Sequence, residues 1–173
     1  MEPAVSVIAR LFRPDPREAL RPLWHAIVKC SRDPAWYREG GVADTVAGRF
    51  DMIAAILAIV LLRIEPEADT AGQQVLLTEL FVADMDAQLR QTGVGDPVIG
   101  KHVGRLVSAL GGRLGGFRTA LPHGGAEWTA AVERNVSLRD GAAPDTLATG
   151  LLRLSHALAA TSTPTLLGGE LPR

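Results

Sequence analysis

Between Asp51 and Arg63 the chain reads MIAAILAIVLL, eleven residues without a charge. A helix apolar on every side has to be surrounded by other structure. The run is too short to cross a bilayer, which takes roughly 20 consecutive apolar residues. The adopted reading is a central helix buried by its neighbours, with contact at a membrane surface as the second reading. Nearly half of the 173 residues are apolar, enough to build a core around such a helix.

The rest of the chain carries helical spacing and helix punctuation, with no clear alternation of apolar and polar residues between hairpin turns. Asp15-Pro16 is a cap followed by proline, and Leu20, Trp24, Ile27 and Val28 share one face of a helix ending near Ser31. Pro22 should kink this helix or delay its start. Asp33-Pro34 opens a short turn carrying Trp36 and Tyr37, broken at Gly40-Gly41.

The central helix is expected from Asp44 or Thr45 to about Arg63, stopped by Glu65-Pro66. The next begins at Thr70, whose spacing to Gln73 matches a capping box, and buries Leu77, Phe81, Met85 and Leu89. A fourth opens at Asp96-Pro97. One of its faces carries Ile99, Val103, Leu106, Leu110 and Leu114; another carries Gly100, Gly104, Ser108, Gly111 and Gly115. Interior helical glycines each cost roughly 1 kcal/mol relative to alanine. Two offsets fit: close packing against a helix of the same domain, or docking of a partner's helix. Trp128, Val132 and Val136 mark a fifth helix, and Leu147, Leu151, Leu154 and Leu158 a sixth. The expected fold is therefore all-α, a single compact domain of about six helices around the central apolar one. Residues 1–14 read as an N-terminal arm, 15–160 as the helical domain, and 161–173 as a flexible tail rich in proline and glycine.

Composition narrows the function. A net charge of −1 argues against a protein held mainly by nucleic-acid phosphates. Cys30 is the one cysteine, so neither an internal disulfide nor a cysteine metal cluster is available. The N-terminal apolar stretch, interrupted by Arg10, is too short for a signal-peptide core, which points to a cytoplasmic product. In that arm Val5, Ile8, Leu11 and Phe12 can form one apolar side, packed on the domain or laid on lipid beside Arg10 and Arg13.

Enzyme templates are missing from the sequence. The glycines at 111, 112, 115 and 116 do not stand between a strand and a helix as a phosphate loop requires. His25, His102, His123 and His156 are scattered, without a second ligand at zinc spacing. No catalytic residue, metal or cofactor is assigned. Asp84 and Asp86, two apart on a helix, point in different directions. Asp86 reads as solvated and as an i, i+4 partner of Arg90. Asp84, nearer the apolar stripe, reads as the partner of an arginine; Arg49 is either that partner or a solvated arginine at the start of the central helix.

These same polar residues carry a family resemblance. Tyr37-Arg38-Glu39-Gly40-Gly41-Val42-Ala43-Asp44-Thr45 followed by Gly48-Arg49-Phe50-Asp51-Met52 resembles the front block of the bacterial ubiquinol–cytochrome c chaperone proteins. Phe81-Val82-Ala83-Asp84-Met85-Asp86, Leu89-Arg90 and Gly93-Val94-Gly95-Asp96 resemble a second block. Val98-Ile99-Gly100-Lys101 and Gly112-Arg113 resemble its continuation. The likeness covers roughly Leu20 to Leu121 and thins in the C-terminal third.

The resemblance implies an all-helical fold, no catalytic activity, and a role in maturing newly made cytochrome b of complex III, with a small helical co-chaperone as a further partner. It nominates Tyr37, Asp44, Arg49, Asp51, Asp84, Asp86 and Arg90 as partner-binding candidates. It also allows peripheral contact with the inner membrane. The alternative function is a small helical binding protein for haem, quinone or lipid, which a deep apolar cavity reached by a histidine would favour.

Overall fold

The computed structural model describes residues 15–91 and 96–172, side chains at 89 and 96–103 excepted. Among these residues all the regular structure is helical. Asp15 caps a 3-10 helix, Pro16–Leu20, by accepting from the Arg17 backbone N–H at 3.0 Å. This turn leads directly into α1, Arg21–Ser31. Pro22 sits in the first turn of α1, where its missing N–H costs nothing, so it delays the α-helix rather than kinking it.

A one-turn helix, α2 (Pro34–Arg38), is capped by Asp33. The long helices follow: α3 (Val46–Ile64), α4 (Ala71–Gln91), α5 (Asp96–Ala120), α6 (Gly125–Asn135) and α7 (Asp145–Ala159). A second one-turn helix, α8 (Thr163–Leu167), comes last. The six expected helices are thus α1 and α3 to α7.

The central helix is where the sequence puts it. Every residue from Met52 to Leu61 is buried. α3 packs on α1, α5 and α7, which enclose it, while α6 bridges α5 and α7. Trp24 of α1 meets Phe81 of α4 edge-on at 6.1 Å, and Phe50 of α3 lies 5.8 Å from the same ring. On the opposite side Phe117 of α5 meets Trp128 of α6 at 4.8 Å, and the indole N–H of Trp128 donates to the Ala148 carbonyl. Edge-on pairs of this kind add to the burial of area.

Several expectations need correction. Of the two expected starts of α3 the structure selects Thr45, whose hydroxyl caps the helix by accepting from the Gly48 N–H at 3.1 Å. Thr70 does not form a capping box with Gln73; its hydroxyl donates to the Ile64 and Glu67 carbonyls, tying the α3–α4 turn together. The tail expected to be loose folds back instead. Ser162 caps α8, Leu166 is fully buried, and α8 packs on α1.

The glycine face of α5 is the largest departure. A Cβ added at Gly104, Gly111 or Gly115 would meet nothing within 4 Å, so no described helix packs closely there. Ser108 is exposed, and Val107 is 44% exposed. Close approach belongs to other glycines. At Gly48 a Cβ would collide with the Ala43 carbonyl, and at Gly150 it would lie 2.8 Å from the Trp36 ring. The N-terminal arm, and the fourth helix's Gly100 and Ile99, lie outside the side chains described.

Candidate functional site

The family-block residues fall into three places rather than one. The first surrounds the start of α3. The indole N–H of Trp36 donates to the Cys30 carbonyl at 2.8 Å, and the Tyr37 hydroxyl donates to the Ser31 carbonyl at 2.9 Å. Both aromatic side chains thereby pin α2 to the carbonyls that end α1. Burial is the main cause that pushes the Tyr37 phenol up, and Arg49 and Asp44 stand near enough to act on it in opposite directions. Arg49 does not reach Asp84. It pairs with Asp44 at 2.7 Å, and both side chains are largely exposed. Sequence proximity explains the difference: the two flank the Thr45 cap, so the turn into α3 brings them together without help from α4. The Arg49 guanidinium holds the Asp44 carboxyl below its usual value.

The second place is internal. Asp51, one turn further along α3, accepts from Arg113 of α5 at 2.9 Å. Its other oxygen accepts from the Ser137 backbone N–H at 3.0 Å and the Ser137 hydroxyl at 2.7 Å. Arg113 also donates to the Asn135 carbonyl. Ser137 in turn offers its carbonyl to the Ala43 N–H at 2.9 Å, beside an isolated bridge between Val42 and Leu138. One carboxylate therefore ties the front block to α5 and to the end of α6. Arg113 is 5% exposed, and one of its terminal nitrogens is buried without a partner. Desolvation lowers the Arg113 pKa, and the Asp51 charge works against that shift.

Neither spacing nor periodicity pairs Arg113 with Asp51 in the sequence. The available signal was a lone cation inside an otherwise apolar and glycine-rich stretch, Leu110 to Gly116. An isolated charge of that kind needs a buried acceptor.

The third place is α4. Asp86 pairs with Arg90 at 2.9 Å, as the spacing suggests, but Asp86 is not solvated; its side chain is only 24% exposed and one oxygen is buried without a partner. Asp84 is half-buried and lines an open groove of about 1580 Å³. Its apolar lining combines the nearly fully buried Trp24, Leu80 and Leu154 with the half-buried Val28 and Trp36. Arg21, His25, Lys29 and Arg32 lie along one wall, faced by Arg153 from α7. Cys30 is also on the lining, and burial pushes its thiol up to about 11.

Among the described residues, no three His, Cys, Asp or Glu side chains gather as a metal site. Nor is any described helix long and apolar enough to cross a membrane.

Comparisons with known proteins agree on a family. The family described as ubiquinol–cytochrome C chaperone matches residues 38–172. The crystal structure of the Cbp3 homolog from Brucella abortus superposes with a TM-score of 0.76 at 25% sequence identity, covering 89% of this chain and 87% of that one. A comparison with curated protein sequences gave no match. The family match extends well beyond Leu121, where the resemblance read from the sequence thins, and takes in the clamp at Ser137 and the folded-back C-terminal segment. With that match spanning most of its length, the chain belongs to the ubiquinol–cytochrome c chaperone family.

Proposed function

We propose that this chain is a non-enzymatic assembly chaperone of complex III that holds newly made cytochrome b at the inner face of the membrane. The observation that carries this reading is the family match over residues 38–172. The likeness to the Cbp3 homolog supports it. A protein that holds another protein needs shaped surface rather than positioned acids and bases. The groove between α1, α4 and α7 and the open glycine face of α5 both offer such surface.

Within this reading the candidates divide by exposure. Asp44, Arg49, Asp84 and Arg90 present polar groups that a client or a small helical co-chaperone can contact. Tyr37 and Asp51 hold that surface in shape through their internal bonds, and Asp86 positions Arg90. The alternative of a haem, quinone or lipid carrier requires a deep apolar cavity reached by a histidine. The main groove is open, and His25 on its wall is exposed.

The test is a mild-detergent pull-down of the tagged chain from cells actively making complex III, read by mass spectrometry against an untagged control. Enrichment of cytochrome b is the expected result. Reproducible recovery without any complex III subunit would remove that client.

A further inference from the structure

A second, smaller pocket of about 270 Å³ opens where the end of α3 meets α4 and α5. Its apolar lining is the buried Leu61, the half-buried Leu114 and Val75, which is 57% exposed. Of the charged groups on the lining, Glu65 and Arg118 pair with each other at 2.7 Å. Glu79 is exposed and makes no salt bridge among the described residues. The pocket is therefore apolar, with one carboxylate left over.

The root of the N-terminal arm lies beside it. Asp15, the first described residue, opens the 3-10 helix Pro16–Leu20, and that helix packs on α4. Arg17 is bonded to Asp15 and close enough to Glu79 to feel its charge. Val75 is one turn from Glu79 along the same helix. Fourteen residues precede Asp15. Seven residues of extended chain reach about 20 Å, and a helix with its side chains is about 10 Å across, so the arm is long enough to cross α4 and cover the pocket. Val5, Ile8, Leu11 and Phe12 have the spacing of one helical face, with Arg10 and Arg13 off it.

We propose that the N-terminal arm seats on this pocket, its Val5, Ile8, Leu11 and Phe12 side against Val75 and Leu114 and its arginines beside Glu79. Exposure and charge decide between this seat and the larger groove. In the groove Trp24, Leu80 and Leu154 are already nearly fully buried, and the charges on the lining cancel once Arg17 and Arg21 are paired with Asp15 and Glu18. The small pocket has exposed apolar surface to cover and a carboxylate to meet. The arm then serves the domain rather than a lipid surface, whichever client the chain holds.

The experiment uses the full chain in a Cys30→Ser background. Cysteines replacing Val5, Ile8 and Leu11 are paired in turn with one replacing Val75, and mild oxidation is followed on non-reducing gels and by mass spectrometry. A disulfide needs Cα atoms within about 7 Å. At least one of the three pairs should close within a single chain. Ala9→Cys, off the apolar face, should close far more slowly, and Ala87→Cys, exposed on the groove side of α4, should capture none of them. In the wild-type background, V75E should release the arm and speed trypsin cleavage after Arg10 about tenfold. Position 75 is exposed, so the helical circular dichroism should stay that of the wild type.

Capture at Ala87→Cys in place of Val75→Cys would put the arm in the larger groove and overturn the proposal. So would cross-links that form only between chains, no cross-link at any position, or cleavage after Arg10 that V75E leaves unchanged. Protection of Arg10 only when anionic vesicles are added would assign the arm to lipid instead.

Discussion

α3 and α5 pack against each other along the middle of the domain, and they are opposites. α3 is apolar on all sides and enclosed from Met52 to Leu61. α5 buries Leu110, Arg113, Phe117 and Ala120, while Gly104, Val107, Ser108, Gly111 and Gly112 face outward. Helical glycines reduce stability unless something fills the space they leave. In α3 the close contact is real: Gly48 lets the Ala43 carbonyl sit against the helix. In α5 the space is empty. Among the described residues, a residue type that costs stability therefore makes a close contact in one helix and none in the other.

The contrast can be broken most strongly at the bond that joins the two helices. Arg113→Ala leaves Asp51 without its buried cation and should cost about 3 kcal/mol, read by urea denaturation. Arg113→Met, which removes the buried guanidinium and keeps much of the volume, should recover part of that loss when combined with Asp51→Leu. A double variant no more stable than Arg113→Ala would show that the pair is not the joint we describe.

Truncation in the centre of α3 should come next. Ile56→Ala, at a fully buried position, should cost about 2–4 kcal/mol through lost burial and the cavity left behind. A smaller effect comes with the opposite sign. Gly104→Ala and Gly111→Ala should each raise stability, by about 0.5–1 kcal/mol, because the new methyl meets nothing and the unfolded chain loses freedom. Destabilisation at either position would mean that the α5 face is covered within the domain. Arg49→Ala should leave the melting temperature unchanged, because its partner Asp44 is equally exposed.

The smallest effect is chemical. With its thiol pushed up to about 11, Cys30 carries little thiolate near neutrality. Its alkylation in the folded chain should be about a hundredfold slower than in urea at pH 8. The sign on stability follows from that raised value. The thiol's contribution is complete below the unfolded pKa and declines as pH rises through the alkaline range.

How much of this was legible in the sequence depended on the range of the interaction. The central helix was, because an uncharged run has one sensible place to go and local composition decides it. The cap at Asp15 was, because a cap is written within four residues, whereas Asp33-Pro34 signals only a turn and in the structure caps the short helix α2. The Arg49–Asp44 pair is not legible, because Asp44 becomes available only through the geometry of the Thr45 turn, and of the two readings of Arg49 the exposed one fits. The role of Asp51 depends on Arg113 and Ser137, which are 62 and 86 residues away, and no periodicity spans such a gap. The folded-back tail is not legible, because proline and glycine signal a turn equally well whether the next apolar residue is buried or not. Leu166 is buried only because α8 finds α1. The groove was invisible for the same reason: its ridge on α1 has helical spacing, but Arg153 and Leu154 arrive from α7.

The measurement that tests the central claim most directly is the cytochrome b content of membranes from cells lacking this chain, taken from reduced-minus-oxidised spectra. Cells complemented with the wild-type chain serve as the reference. The account predicts loss of the cytochrome b signal in the deletion strain, with the other membrane cytochromes retained, and its return on complementation. A cytochrome b signal at full wild-type strength in the deletion strain would contradict it.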